Sequence, residues 1–509
     1  MNNPYYLTTP IYYVNAKPHL GHIYTTMLCD VMVQYQKLLG KDAMFLTGVD
    51  EHGDKIVKAA ASASLSVQDY VDLISGEFQN VWKNLHIQNN DFIRTTEERH
   101  KKVVQNILQT LFDKGDIYLS QYEGYYCFGC ERYLTEKEMD SEGKCPDHQI
   151  EPEIIKESNY FFKLQKYLPR WETMLKNNSN LIQPDQYYKE ILGTIHELMK
   201  TGEDLSISRP VKRLQWGIPI PFDEQFVTYV WFDALVNYIS ALDYPDGEKF
   251  HTYWPQAHHM IAKDILKPHG IFWPAMLMAA DIEIFQNLYV HGYWLGLNDL
   301  KMSKSMQNAF NPLDLIHSIG LDSFRYFLMK EMTFGSDSKF TDEALKNRLN
   351  QDLSNNLGNL IQRTLSMIKK YCNGNIPPKN PEMDYIIKPA NLLSDASKNY
   401  HSCMQTFQFS KALDNILEII DLLNKSIEEK KPWALAKTND PELLPFLRLL
   451  MDGIGFCMHY MKPFLAEKFR LFTEITGLTV RENFPGKLQE ILYNESLPEN
   501  WEILFPRID

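Results

Sequence analysis

The alternation of apolar and polar positions near the amino terminus predicts a strand, a helix and a second strand. Residues 5–11 are aromatic and β-branched, which favours a strand, and residues 15–18 are typical of a turn. From Leu20 to Gly40 apolar side chains recur every three or four residues, which predicts a helix. A second strand is predicted over residues 43–47, ending at Gly48. This order is typical of a parallel, doubly wound sheet with a nucleotide site at its strand ends.

The pattern changes twice further along the chain. A helix is predicted over residues 67–85, but from about residue 118 to 155 the periodicity weakens and glycine, proline and cysteine interrupt the chain. That interruption indicates a small inserted module. Strand-like and helical segments resume near Phe226, and beyond about Asp342 the apolar spacing predicts a helical bundle, with residues 373–381 as a connector.

Composition limits the class of protein. The 509 residues are 44% hydrophobic and 23% charged, as in ordinary globular proteins with about three domains. There is no basic stretch ahead of an apolar run at the amino terminus, and the apolar run 271–280 is too short to span a bilayer, so we expect a cytoplasmic protein without a membrane span. A net charge of -13 argues against a protein that coats nucleic acid through its overall field. Any RNA contact must use local basic patches.

The turn from the first strand into the helix reads Pro-His-Leu-Gly-His and carries His19, Gly21 and His22. Helix amino termini offer unpaired N–H groups to phosphate, and glycine permits close approach of a nucleotide. Two imidazoles three residues apart can face the same ligand and stabilise charge on a reacting phosphate. Taken alone, the motif also fits an ordinary capped helix with solvent-facing histidines.

A second motif, Lys-Met-Ser-Lys-Ser, carries Lys301 and Lys304 in a segment flanked by glycine, asparagine and proline. Two lysines in a loop can neutralise charge on a departing pyrophosphate. By composition alone, a solvated loop is the commoner interpretation.

Three of the seven cysteines lie between residues 127 and 145, and they form part of a ligand pattern. Cys127 and Cys130 make one pair, and Cys145 with His148 makes a second pair. Four such ligands can close a tetrahedral structural zinc site with no open catalytic position.

Together the histidine turn and the lysine loop resemble the paired signatures of the class I aminoacyl-tRNA synthetases. The resemblance narrows to the methionine-specific members of that family through TTPIYYVNAKPHLGH (8–22), TGVDEHG (47–53), YVWFDA (229–234) and KDILKPHGIFWP (263–274). It extends over essentially the whole chain. It implies ATP-dependent activation of methionine to methionyl-adenylate and transfer to the 3′-terminal adenosine of initiator and elongator tRNA(Met), with Mg²⁺ accompanying ATP and one structural Zn²⁺.

The resemblance also implies roles for individual residues. His19, Gly21, His22 and Lys304 would bind ATP, with His19, His22, Lys301 and Lys304 as the catalytic residues, and Asp50 would hold the methionine ammonium group. Without the resemblance, Asp50-Glu51-His52 would be interpreted as a turn or a weak metal-binding pair. The methionine pocket is expected at Ile11, Tyr13, Asp50, Trp231, Ala234, Leu235, Tyr238, Ile265 and His269. Unpaired anticodon bases would be read by Asn359, Arg363 and Trp433, by hydrogen bonding and stacking.

The predicted fold is therefore α/β: a Rossmann-like doubly wound parallel sheet with an inserted zinc-knuckle domain and a carboxy-terminal all-α bundle. The expected regions are the first half of the catalytic domain (1–116), a connective domain (117–225) with the zinc knuckle (127–148), the second catalytic half (226–290), the lysine loop with linking helices (291–355), and an anticodon-binding domain (356–509). We expect a monomer.

Two alternatives remain open from the residues alone. A nucleotidylyltransferase can use a similar histidine turn, although such folds are shorter and do not explain a zinc insertion with a long helical tail. The second alternative is a non-catalytic RNA-binding zinc protein, in which the histidine turn and the lysine loop would have no catalytic role. One departure from the family pattern is Ala262, where glycine is usual before Lys-Asp, and it places the local backbone contact with ATP in question.

Overall fold

The computed structural model describes residues 3–127, 132–134, 138–146, 149–296, 312–379, 392–480, 484 and 491–508. The chain forms two compact units. The sheet unit comprises Met1–Pro18 and Asp42–His291, and the helical unit comprises His19–Lys41 and Gly292–Asp509. Within the described part of the chain, every helix is too short or too polar to cross a membrane.

The sheet unit contains most of the strands. They are β1 (Pro4–Tyr13), β2 (Asp42–Asp50), β3 (Asp91–Arg94), β4 (Ile117–Cys127), β5 (Arg132–Leu134), β6 (Glu153–Phe162), β7 (Ile182–Gln183), β8 (Leu205–Ser206), β9 (Ser208–Pro210), β10 (Pro219–Ile220), β11 (Asp223–Thr228), β12 (Ala257–Ala262) and β13 (Asn287–His291). Helix α1 (Leu20–Leu38) follows β1 along the chain and belongs to the helical unit. The sheet unit's own helices are α2 (Asp54–Ser62), α3 (Val67–Asn84), α4 (Glu98–Asp113), α5 (Leu168–Asn177), α6 (Asp185–Thr201), α7 (Val230–Leu235), α8 (Asn237–Ser240), α9 (Glu248–Tyr253) and α10 (Trp273–Ala279). Short 3₁₀ turns cover Leu164–Lys166, Ser179–Leu181, Trp254–Gln256 and Lys263–Ile265, and a π-helical turn covers Pro268–Phe272.

Six strands form the central sheet in the order β3-β2-β1-β12-β13-β7, and all the pairings are parallel. This confirms the predicted Rossmann-like sheet. The order reverses between β1 and β12, and open α/β sheets bind ligands beyond the carboxyl ends of their strands at such a point.

One predicted boundary in this sheet is wrong, because Gly48 does not end the second strand. Strand β2 continues to Asp50, with Gly48 paired to Ile11 on one side and Ile93 on the other. A Cβ atom at residue 48 would lie 2.2 Å from the Ile93 carbonyl oxygen. The glycine therefore serves the close approach of β3 within the strand.

The inserted module is built on an antiparallel sheet in the order β5-β4-β6-β8. Strands β4 and β6 pair from Ile117 opposite Phe162 to Tyr126 opposite Glu153, so two long strands flank the cysteine segment. Apolar side chains on the solvent side, such as Leu119 and Ile154, are 52% and 63% exposed. They disturb the alternation that normally identifies a strand, which explains why the sequence pattern weakened here.

The helical unit confirms the helical prediction beyond Asp342. Its helices after α1 are α11 (Pro312–Ile319), α12 (Leu321–Glu331), α13 (Asp342–Arg348), α14 (Asn359–Tyr371), α15 (Leu392–Gln405), α16 (Phe409–Lys430), α17 (Pro432–Thr438), α18 (Leu443–Met461) and α19 (Ala466–Thr476), with a π-helical segment at Leu349–Gly358. Short strands are β14 (Trp294–Leu295), β15 (Ser338–Lys339), β16 (Thr479–Val480) and β17 (Ile491–Leu492). Apolar stripes on α14 and α16 pack around α18, which is buried along nearly its whole length. A buried ion pair between Asp30 of α1 and Arg325 of α12, 3.1 Å long, joins α1 to this bundle.

Candidate functional site

Three of the residues predicted to bind methionine lie at or just beyond the carboxyl ends of neighbouring strands of the central sheet. Tyr13 ends β1, and its register partner on β2 is Asp50, the last residue of that strand. Ile265 follows β12 after a short 3₁₀ turn. Because the strands are parallel and adjacent, residues distant along the chain meet at one edge of the sheet.

A buried chain of hydrogen bonds joins three polar groups of the predicted pocket. His269 lies in the π-helical turn, a feature frequent at functional sites, and its Nδ1 is 2.9 Å from the Ile265 carbonyl oxygen. A carbonyl only accepts, so Nδ1 carries the proton and Nε2 accepts from the Tyr238 hydroxyl at 2.7 Å. Burial lowers the pKa of His269 to about 4. The imidazole is therefore neutral at physiological pH, with one defined tautomer.

A second histidine, which the sequence did not single out, lies behind Tyr238. The indole N–H of Trp273 donates to His259 Nε2 at 3.3 Å, so His259 Nδ1 carries the proton and faces Thr8 Oγ1 at 2.8 Å. Burial lowers the pKa of His259 well below its ordinary value. The His259 and Tyr238 ring centroids are 4.2 Å apart. This neutral ring supports the tyrosine from the core side.

The turn that follows Asp50 is anchored by Glu51, whose role the sequence pattern also missed. Glu51 is fully buried, and its carboxylate accepts from Arg94 Nε at 2.8 Å and from the hydroxyls of Ser75 and Thr96. Its carbonyl oxygen accepts from Trp216 Nε1 at 2.5 Å. Asp50 itself is 5% exposed. Among the described residues, no cluster of three or more His, Cys, Asp or Glu side chains could hold a metal ion.

The apolar walls come from two short helices. Trp231, Ala234 and Leu235 lie on α7, and Tyr238 lies on α8. A cavity of about 240 Å³ adjoins α7. Of the residues predicted to bind methionine, Trp231 lines this cavity. Its wall includes Arg209, 1% exposed, whose guanidinium stacks 4.2 Å from the Tyr229 ring centroid. Arg209 lies on β9, a strand of three residues, and the sequence analysis did not single it out.

Ala262 ends β12 in an ordinary extended conformation, with φ -84° and ψ 156°. This conformation does not require glycine. The departure from the family pattern is therefore tolerated by the backbone at this position.

The histidine turn lies in the helical unit, at the start of α1. His19 is the residue that caps the helix, and its Nδ1 accepts from the Gly21 N–H at 3.0 Å. A Cβ at residue 21 would lie 2.9 Å from the His19 ring, so a larger residue there would displace that ring from its present position. The rings of His19 and His22 stack with centroids 3.6 Å apart. The two imidazoles thus form one surface, as the spacing predicted.

Several predicted residues lie outside the described residues. They are Lys301 and Lys304 of the lysine loop, and Cys130 and His148 of the zinc pattern. The other two cysteines, Cys127 and Cys145, are fully buried and pack with Leu134 in a small cluster of their own. Thiols brought together in this way fit a soft metal ion.

The predicted anticodon readers lie on two helices of the helical unit. Asn359 is the exposed first residue of α14, and Arg363 follows one turn later, so both lie on the same helix face. Arg363 Nη2 donates to Glu428 Oε1 at 2.7 Å. Trp433 lies in the first turn of α17 and is 39% exposed. Such exposure is unusual for an indole, which is normally buried in a core or an interface.

Comparison with known proteins places these features in a family. The family model for class I tRNA synthetases (M) matches residues 5–153 and 148–365. The methionine–tRNA ligase of Bacillus subtilis is 40% identical over 496 residues, covering 94% of this chain and 74% of the relative. That of Listeria monocytogenes is 42% identical over 482 residues, covering 91% of this chain and 71% of the relative.

Solved structures agree with the sequence relatives. Mycobacterium tuberculosis methionyl-tRNA synthetase bound by methionyl-adenylate matches with a TM-score of 0.92 and 31% identity, covering 99% of this chain and 100% of that one. The apo form of the same enzyme matches with a TM-score of 0.86 and 29% identity, covering 100% of this chain and 99% of that one.

The buried imidazole of His269 gives a testable acid dependence of stability. Its pKa of about 4 in the folded protein lies below the unfolded value of 6.5, so the unfolded chain binds more protons between these values. The contribution of His269 to the free energy of unfolding is fully present above the pKa of the unfolded chain. It is lost as the pH falls toward the pKa of the folded protein, and the total loss is up to about 3 kcal/mol. We expect the urea midpoint of His269→Gln to fall less steeply than that of the parent between about pH 7 and about pH 5. His196→Gln, which alters a histidine whose side chain is 50% exposed, is the control. Equal slopes in all three proteins would contradict the prediction.

Proposed function

This chain belongs to the methionine–tRNA ligases, a family of class I tRNA synthetases, and from that premise we propose which of its residues carry each step. The enzyme activates methionine with ATP to give methionyl-adenylate and transfers the methionyl group to tRNA. The family match excludes both alternatives, a nucleotidylyltransferase and a non-catalytic RNA-binding zinc protein.

For activation, the methionine carboxylate attacks the α-phosphate and pyrophosphate leaves, without a covalent enzyme intermediate. Because His19 Nδ1 accepts from Gly21 N–H, the neutral ring carries its proton on Nε2, where it can donate to a phosphate oxygen. His22, stacked on His19, supplies a second imidazole. Lys301 and Lys304 neutralise the leaving pyrophosphate, and Mg²⁺ accompanies ATP. Catalysis is then positioning plus electrostatic stabilisation, with no general base.

For methionine, Asp50 pairs with the ammonium group, and apolar walls surround the thioether. The walls are Ile11, Tyr13, Trp231, Ala234, Leu235, Tyr238, Ile265 and His269. The observation that most supports this role is the neutral Tyr238–His269–Ile265 chain, because it satisfies the polar tips of the wall among themselves. A pocket that presents no unpaired charge to the side chain suits an apolar, polarisable substrate.

We further propose that Cys127, Cys130, Cys145 and His148 hold one structural zinc ion. Cys127 and Cys145 are fully buried beside Leu134, in a small cluster of their own among the described residues of the module. A closed four-ligand site would stabilise the module's shape and leave no position for catalysis.

The remaining proposals concern tRNA and the state of the enzyme. Asn359, Arg363 and Trp433 contact the anticodon: the exposed Trp433 indole can stack on a base, and the partly exposed Arg363 guanidinium, which is paired with Glu428, can contact a second base. Regions 1–116 and 226–290 form the catalytic domain, and region 117–225 is the connective domain with the zinc knuckle. Region 291–355 holds the lysine loop and linking helices, and region 356–509 binds the anticodon. The enzyme acts in the cytoplasm as a monomer and charges both initiator and elongator tRNA(Met).

Amino-acid-dependent ATP–pyrophosphate exchange tests the methionine site. We expect exchange with methionine and, for Asp50→Asn, a rise of roughly tenfold to a hundredfold in the KM for methionine, because the charged hydrogen bond to the ammonium group is lost. Asp69→Asn, an exposed position at the start of α3, should behave like the parent. Exchange driven by another amino acid, or an unchanged KM in Asp50→Asn, would contradict this assignment.

Metal analysis tests the zinc proposal independently of activity. The purified enzyme should contain about one zinc per chain, and Cys145→Ser should lose it because three ligands bind zinc much more weakly than four. Cys372→Ser, which changes a partly exposed cysteine in the helical unit, should keep its zinc. Equal zinc contents in the two variants would rule out Cys145 as a ligand.

Removal of the exposed indole separates tRNA recognition from activation. Trp433→Ala should lower kcat/KM for tRNA about tenfold to a hundredfold, because one base loses a stacking partner worth ~1–3 kcal/mol. Methionine-dependent exchange should be unchanged. Leu444→Ala, which truncates a 46% exposed apolar side chain on α18, is the control. An equal loss in both variants would indicate a general effect on the bundle.

A further inference from the structure

A buried carboxylate lies on the helix that supplies the proposed pocket wall. Asp233 stands between Phe232 and Ala234 on α7 and is fully buried. Its Oδ2 is 2.6 Å from His52 Nδ1, and its Oδ1 is 2.7 Å from His100 Nε2. His52 and His100 are themselves 4% and 0% exposed. One carboxylate therefore joins three segments that are far apart along the chain.

The protonation of this group defines the direction of each hydrogen bond. Burial alone raises the pKa of Asp233, but His52 and His100 outweigh it and lower the pKa to about 2. An ionised carboxylate only accepts, so His52 donates from Nδ1 and His100 donates from Nε2. Each imidazole plane is thereby fixed. Behind His100, Nδ1 lies 2.8 Å from Ser240 Oγ on α8, so the chain of contacts also reaches the helix that carries Tyr238.

On its other side the network reaches the turn that carries Asp50. His52 comes two residues after Asp50, and its backbone N–H lies 3.5 Å from Asp50 Oδ1. Glu51 is held by Arg94 from one direction, and the Gly53 N–H donates to the Trp216 carbonyl oxygen at 3.4 Å from another. Asp233 adds the link from this turn to α7.

A buried network of this kind is a weak source of stability for the fold. Apolar side chains of similar volume often give equal or greater stability than a buried ionic group, because desolvation of the charges is costly. What the carboxylate adds is direction, since two short hydrogen bonds define both distance and angle.

We propose that Asp233 is a positioning residue for methionine. Through His52 and His100 its carboxylate fixes the Asp50 turn against α7, so that the group that pairs with the substrate ammonium and the walls at Trp231 and Ala234 keep one spacing. The proposal rests on the proposed methionine pocket. It assigns to Asp233 no contact with substrate and no proton transfer.

The test is Asp233→Asn in methionine-dependent ATP–pyrophosphate exchange with the full chain. The amide offers one accepting oxygen, and its NH₂ group opposes the second imidazole N–H, so one of the two links is lost. We expect the KM for methionine to rise about tenfold, the KM for ATP to stay within about twofold, and kcat to change less than the KM for methionine. A loss of folded enzyme alone would lower kcat and leave both KM values unchanged.

The matched control is Asp116→Asn, which alters another buried carboxylate of the sheet unit. Asp116 is 1% exposed, and its Oδ2 accepts from the Tyr167 hydroxyl at 2.6 Å. It should keep the parent's KM for methionine. Thermal unfolding of both variants reports how far each is destabilised.

A second pair of variants keeps the proposal testable if Asp233→Asn does not fold. His100→Leu removes one donor to Asp233 and should raise the KM for methionine, whereas His100→Gln retains an N–H donor and should restore most of the affinity. A parent-like KM for methionine in folded Asp233→Asn, or in both His100 variants, would overturn the proposal. If Asp50→Asn also leaves that KM unchanged, the pocket assignment itself fails; if Asp50→Asn raises it, only the positioning role of Asp233 is lost.

Discussion

The parallel pairing of β1 with β2 on one side and β12 on the other is the constraint on which the proposed methionine site depends. It brings Tyr13, Asp50 and Ile265 to the same edge of the sheet from three distant parts of the chain. Because side chains alternate along a strand, a slip of one residue would turn Asp50 to the opposite face. Gly48, which lets β3 approach within contact of β2, helps to fix that register.

Two buried ionisable groups at this edge show how neighbours decide the effect of burial. His269 has a carbonyl and a hydroxyl as partners, so desolvation dominates and its pKa falls to about 4. Asp233 is equally buried, but two imidazoles face it and its pKa falls to about 2. The first group is therefore neutral and the second charged at physiological pH. An apolar wall and a rigid ionic support thus arise within one compact unit.

The inserted module and the helical unit differ in the size of their apolar cores. Helix α18 is buried along nearly its whole length, so the helical unit has an extensive apolar core. Among the residues that the structure describes between β4 and β6, the buried cluster consists of Cys127, Leu134 and Cys145. So small an apolar cluster provides little free energy of folding, and this is the physical reason that metal ligation is a reasonable role for its cysteines.

The sequence by itself determined what depends on local pattern: the first strand and helix, the helical region beyond Asp342, the placement of His19 and His22 one helical turn apart, and the family signatures. It could not determine that β2 runs through Gly48, or that Glu51, Asp233 and His259 lie buried next to residues of the proposed methionine site. These contacts join segments that are separate along the chain, by as many as 251 residues in the case of Thr8 and His259. Periodicity records which face of an element is apolar, whereas a buried polar side chain is explained only by the partner that tertiary folding brings to it.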